Sequence, residues 1–149
     1  MRPALLMGIA LLVALPASAE PDTDRFAVAG ITDAAARSMF DALQDAVRSN
    51  DREKLAALVE YPLRVNASGT HRLISDSDQF VADFSNIFTG AVRQQVLDQK
   101  FDELFVNWRG VMVGDGAIWF SGICEADSPA GACKNVRVRI IAVNLSGPR

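Results

Sequence analysis

The sequence is poor in the side chains that do most enzymatic work. In 149 residues it has one histidine, His71, one tyrosine, Tyr61, and two cysteines, Cys124 and Cys133. A Ser-His-Asp or Cys-His arrangement would have to be built on His71 alone, and none can be assembled along the chain. The same scarcity falls short of a zinc site, so neither a metal nor a cofactor is expected. Basic residues are not in excess: 15 Lys and Arg stand against 18 Asp and Glu, scattered along the chain, which argues against a nucleic-acid binder. No apolar run approaches the roughly 20 residues that span a bilayer.

What the sequence does have begins with residues 1–19, MRPALLMGIALLVALPASA. Arg2 precedes a twelve-residue apolar run over 4–15, and Ala17-Ser18-Ala19 supplies a small-residue cleavage site. This pattern predicts a secretory signal peptide, a periplasmic or secreted mature chain, and no membrane contact once the leader is removed. Residues 20–31 read as a loosely ordered lead-in, and 32–149 as a single α+β domain. Cys124 and Cys133 bracket EADSPAGA, a stretch that must turn the chain. In an exported protein that spacing predicts a disulfide closing a hairpin loop, worth roughly 2–3 kcal/mol. The Cys-x-x-Cys spacing of a redox motif is absent.

Periodicity places the elements. Thr32 caps a first helix with its apolar stripe at Ala36, Met39, Phe40, Leu43, Ala46 and Val47. Asn50 and Glu53 form a capping-box-like start for a second helix, stopped near Glu60 by Pro62. YPLRVN and HRLI form a hairpin around ASGT. Ser75 or Ser77 then caps a Phe-rich helix ended by Gly90, and AVRQQVLDQ adds another. From Phe101 the period drops to two, in LFVNW, RGVMV, AIWFSGIC and NVRVRIIAVNL. Helices first and strands last predict an α+β fold, with N-terminal helices packed on a strongly curved antiparallel sheet. The last strand changes character near Ile140 and Ile141, a bulge or a switch from exposed to buried.

Asp115-Gly116 predicts a two-residue type I′ turn. Its register sets Val113 opposite Ile118, Met112 opposite Trp119, Val111 opposite Phe120, Gly110 opposite Ser121, Arg109 opposite Gly122 and Trp108 opposite Ile123. One face then carries Val111, Val113, Ile118 and Phe120. The other carries Trp108, Met112 and Trp119 around the small pair Gly110 and Ser121, either as core or as a slot for a small apolar ligand. Both faces are apolar, so both need covering: one by the helices, the other by a second subunit, a protein partner or a ligand. A phosphate or calcium loop at Gly-Asp-Gly lacks the following helix and the further oxygen ligands such sites require.

The order of elements and the run LFVNWRGVMVGDGAIWFSGIC resemble the nuclear transport factor 2-like superfamily, in an uncharacterised secreted bacterial branch. The resemblance spans about Thr32 to Leu145. It implies helices closing one end of a cone-shaped sheet, an apolar cavity, and an outer sheet face that often forms a homodimer. Enzymes of that superfamily use an Asp or His base with Tyr, Asp or His partners, for which the candidates here are Tyr61, His71 and Asp102, with Glu103 and Asp115 behind them. Asp102 and Glu103, adjacent on an expected strand, would point to opposite faces. Arg137 and Arg139, two apart on one strand, share a face, and with Arg109 they could form an anion patch.

These readings converge on an exported binding or interaction module with an apolar cone or sheet-face site. Its ligand or partner is a small apolar molecule or another exported protein. The alternatives are a cone-cavity isomerase or dehydratase, and an inhibitor or immunity-type protein docking through its sheet face or its Cys124–Cys133 loop.

Overall fold

The computed structural model describes residues 24–125, 133 and 135–145; the expected leader and the first residues of the lead-in lie outside them. Helix α1, Asp33–Ser49, starts where Thr32 accepts a hydrogen bond from the Ala35 amide, and it buries the stripe from Ala36 to Val47. Asn50 ends it in the left-handed conformation at φ 54°, so Asn50 is not free to cap the next helix. Asp51 does so instead, accepting from the Lys54 amide at 3.0 Å at the start of α2, Arg52–Ala57. Helix α2 ends ahead of the expected stop near Glu60, and strand β1, Val59–Ala67, starts two residues before the expected YPLRVN; the Tyr61-Pro62 peptide bond is cis.

Strand β2, Thr70–Ile74, completes the first hairpin. Helix α3, Ser77–Ala82, is capped by Asp76 and not by a serine. The Phe-rich stretch then breaks at Asp83 into a single turn, α4, Phe84–Ile87. Arg72 on β2 is ion-paired to Asp83 at this break, and the Asn86 amide together with Arg72 holds the Asp83 carboxyl below the usual carboxylate range. Gly90, expected as a stop, is the first residue of α5, Gly90–Asp98, because Thr89 accepts from the Val92 amide and caps a new helix there.

Four short strands follow: β3 (Phe105–Asn107), β4 (Gly110–Val113), β5 (Ile118–Cys124) and β6 (Val136–Asn144). The sheet is six-stranded and open, in the order β2-β1-β6-β5-β4-β3. It is mixed, which corrects the expected all-antiparallel sheet. The last strand inserts between β5 and β1, antiparallel to the former and parallel to the latter. Opposite Trp119 and Phe120 stand Ala142 and Ile140, so Ile141 is the extra residue of a bulge, where the strand's change of character pointed.

The inner face carries Leu63, Val65, Ile74, Val111, Val113, Ile118, Phe120, Ile140 and Val143, all buried in one cluster with the helix residues. Phe80 packs edge-on against Tyr61, Phe84 and Phe88 within it. The lead-in is not loose from Asp24 onward. A 3-10 turn over Ala27–Ala29 seats Phe26, Ala29 and Ile31 in the core. Arg25 ties the turn down by donating to the Phe101 carbonyl at 2.8 Å and to the Asp102 carbonyl at 3.2 Å. Gly122 permits the approach, since a Cβ there would lie 2.7 Å from the Gly30 carbonyl oxygen and 2.8 Å from Ile31.

Cys124 and Cys133 are joined by a disulfide. Between them, only Glu125 of the bridged loop is among the described residues.

Candidate functional site

The expected register of the Gly-Asp-Gly corner holds for its first three pairs: Val113 with Ile118, Met112 with Trp119 and Val111 with Phe120. The turn itself is not type I′. Gly114 and Gly116 take positive φ, 63° and 85°, while Asp115 between them does not. The corner is pinned from outside. Gln99, just past the end of α5, and Gln95 within it accept from the Gly114 and Asp115 amides at 2.8 and 3.1 Å, and Asn144 of β6 donates its side-chain amide to the Gly116 carbonyl.

Beyond Gly110 the expected hairpin does not continue. Trp108 and Arg109 form a turn, and β3 folds back on β4 with Phe105 opposite Met112 and Asn107 opposite Gly110. Trp108 is therefore not opposite Ile123. It is 73% exposed, with the Arg109 guanidinium 5.0 Å from its ring centre. The slot drawn between Trp108, Met112 and Trp119 is not built. Gly110 does lie against Ser121, but the Ser121 hydroxyl is turned to the Ala29 carbonyl at 3.3 Å.

What replaces the slot is a row. Following the pairings from strand to strand, Leu73, Arg64, Ala142, Trp119, Met112 and Phe105 lie side by side on the outer face, one from each of the six strands. Five inter-strand steps make this row roughly 24 Å long. Its ends are bare, with Leu73 54% and Phe105 52% exposed, and Trp119 and Met112 are half-buried between them. Leu73, Arg64 and Phe105 were not singled out from the sequence. A tight turn at Ser68-Gly69 aligns Arg64 with Leu73, and one at Trp108-Arg109 aligns Phe105 with Met112. That signal was in the sequence; the parallel contact of β1 with β6 that joins the two halves was not.

The candidates for chemistry do not converge. His71 is exposed on β2, opposite Asn66. Asp102 and Glu103 lie in a 3-10 turn and not on a strand; the Asp102 side chain is 94% exposed, and Glu103 pairs with Lys100. None of the three enters the core, and among the described residues no polar or charged residue is buried. Tyr61 donates its hydroxyl to the Ala56 carbonyl at 3.0 Å. Burial, with the Asp76 charge adding to it, pushes the Tyr61 phenol up to about 12. Because Tyr61 is the only tyrosine, phenolate absorbance reads it directly. The folded state favours the neutral phenol, so its stabilising effect is complete below the unfolded value near 10 and is lost as pH rises from there towards 12. Half-titration near pH 10 with the circular dichroism still native would contradict this environment.

Arg137 and Arg139 do share the outer face, opposite Ile123 and Ser121. Arg137 is engaged with Glu60 and Glu125 at 3.9 and 3.6 Å, whereas Arg139 donates, among the described residues, to the neighbouring Val138 carbonyl. Arg109 stays with Trp108 at its turn. Among the described residues, concavities lie at two places beside the sheet. One, of about 440 Å³, lies between the N-terminal turn and β6, lined by Asp24, Ala27, Ile31, Ala35, Val136 and Val138. The other, about 240 Å³ and polar, lies beside the Gly-Asp-Gly corner against Gln95 and Gln99. Among the described residues no three His, Cys, Asp or Glu side chains are grouped to hold a metal ion, and no helix is long and apolar enough to cross a membrane.

Fold and site together define an α+β domain whose helices cover one face of an open mixed sheet and leave an apolar row across the other. No protein-family model matches the chain, and no curated protein matches it.

Proposed function

We propose that this chain is an exported interaction module of the nuclear transport factor 2-like kind, and that it binds through the outer face of its sheet. The observation that carries this reading is the six-strand row from Leu73 to Phe105, whose ends are more than half exposed and whose Trp119 and Met112 are half-buried, while Leu63, Ile74, Val111, Val113 and Ile118 on the inner face are buried. The family reading is supported by the helix pair, the first hairpin, the second set of helices and the closing strands, in the order the resemblance implies. Bulges next to Pro62 and at Ile141 bend the strands they interrupt, as a cone-shaped sheet requires. Export is supported by the leader pattern and by the disulfide.

The test uses the mature chain and its Trp119→Glu variant, immobilised side by side and exposed to the exported proteins of the source cell. A protein retained at least tenfold better by the native chain is the expected result. Trp119 is only half-buried, so the thermal midpoint should barely move, which keeps the comparison clean. Equal retention by both chains would sink the sheet-face reading.

A further inference from the structure

The outer face is apolar along most of its row, but Arg64, one strand in from the β2 edge, places a cation in it. The Arg64 Nε donates to the Asn66 side-chain oxygen at 2.8 Å. Asn66 in turn donates its amide to Asn144 at 2.7 Å, and Asn144 donates to the Gly116 carbonyl in the Gly-Asp-Gly corner. This relay runs from β1 through the neighbouring β6 to the corner, and it orients the guanidinium on the sheet surface. With Nε committed, the two terminal nitrogens remain, and neither meets a carboxylate among the described residues. Two parallel N–H groups at a fixed orientation match the two oxygens of a carboxylate.

The rest of the face agrees in sign. Among the described residues Arg139 also meets no carboxylate, while Glu60 and Glu125 on this side are already engaged with Arg137. The same face of a second copy would therefore bring arginine towards arginine and, among the described residues, no free acid, since a two-fold contact sets a patch against itself. A partner with its own carboxylates answers both arginines, and large apolar side chains beside them would cover Leu73, Trp119, Met112 and Phe105.

Resting on the sheet-face reading above, we infer that the occupant is an acidic amphipathic segment of another protein, with a carboxylate held bidentately by Arg64 and apolar residues laid along the row. A helix of about 16 residues matches the length of that row at a rise of about 1.5 Å per residue.

A random library of peptides of this length, displayed on phage, tests the inference when selected in parallel on the full mature chain and on its Arg64→Glu/Arg139→Glu variant. Peptides rich in Asp and Glu with Leu, Phe or Trp are expected on the native chain, and Lys- and Arg-rich ones on the variant. Arg64→Lys, which keeps the charge but not the fork, should weaken the selected acidic peptides at least tenfold. Enrichment of the same composition on both chains overturns the acidic partner.

Three other outcomes overturn it while separating the underlying reading. A dimer seen by light scattering and lost in Trp119→Glu, with no competing peptide, keeps the sheet face as the site but makes a second copy its occupant. Phosphatidylglycerol vesicles bound through Trp119 without any peptide enrichment assign the face to a lipid surface. Selected peptides that bind Trp119→Glu as tightly as the native chain, with no dimer, remove the sheet-face reading as well.

Discussion

Gly110→Val is expected to cost about 4 kcal/mol of folding stability, summing the strain of a glycine-only backbone conformation with that of an overpacked contact. Gly110 has φ 140°, which L side chains rarely adopt, and a Cβ there would stand 2.4 Å from the Phe120 carbonyl oxygen and 3.2 Å from the Ser121 Cβ. Neither neighbour can retreat. Phe120 is fully buried, its backbone is in the β5 ladder, and Ser121 is held by Ala29. Against the 5–15 kcal/mol available to a domain, this is a large fraction. Urea unfolding gives the number. A loss below about 0.5 kcal/mol, the range of ordinary surface changes, would mean that β4 does not cross β5 this closely. Gly116→Ala is the useful contrast: its nearest neighbours are the Met112 sulfur at 3.6 Å and the Trp119 ring nitrogen at 3.8 Å, so only the backbone conformation resists it.

The second large effect is Phe26→Ala, expected at about 3–5 kcal/mol from the cavity left behind. Phe26 is fully buried with its ring 5.3 Å from that of Phe101, and the Arg25 guanidinium covers it at 4.5 Å. A residue in a loosely ordered lead-in would lose next to nothing on truncation. The same urea experiment therefore decides whether the domain begins at Thr32 or some eight residues earlier. A midpoint unchanged from the native chain would return the boundary to Thr32.

These two positions mark where reading the sequence stops short. Helix α1 was legible because its stripe is long and its cap is an ordinary one; Thr32, Phe40 and Leu43 announce themselves by spacing alone. The pairs around Gly-Asp-Gly were legible because register near a tight turn is a local matter. Phe26 was not, since a single aromatic among Asp, Pro and Gly has no period, and its burial depends on Phe101 and Gly122 far along the chain. Trp108 was misplaced for a related reason. Asn107 and Gly110 close a second tight turn, and a hairpin that reverses after Asn107 leaves Trp108 at the tip and puts Phe105 in its stead. Of the site, Met112 and Trp119 were visible as sharing one face of the hairpin and Arg137 and Arg139 as sharing a face of the last strand, but which face the helices cover was not. Arg64 was not, because what makes it notable is the Asn66–Asn144 relay, and that exists only once the last strand lies beside the first.

The position of β6 has one more consequence. The strands fall into two groups that are local along the chain, β1 with β2 and β3 with β4 and β5, and only β6 touches both. Without it there is no six-stranded sheet, only a two-stranded ribbon and a three-stranded meander. Detachment of this one segment would uncover two fresh hydrogen-bonding edges together, on β1 and on β5, each an invitation to pair with a foreign strand. The guard against that mispairing is the packing of Ile140 and Val143, both with no exposed surface, which fasten the central strand from beneath.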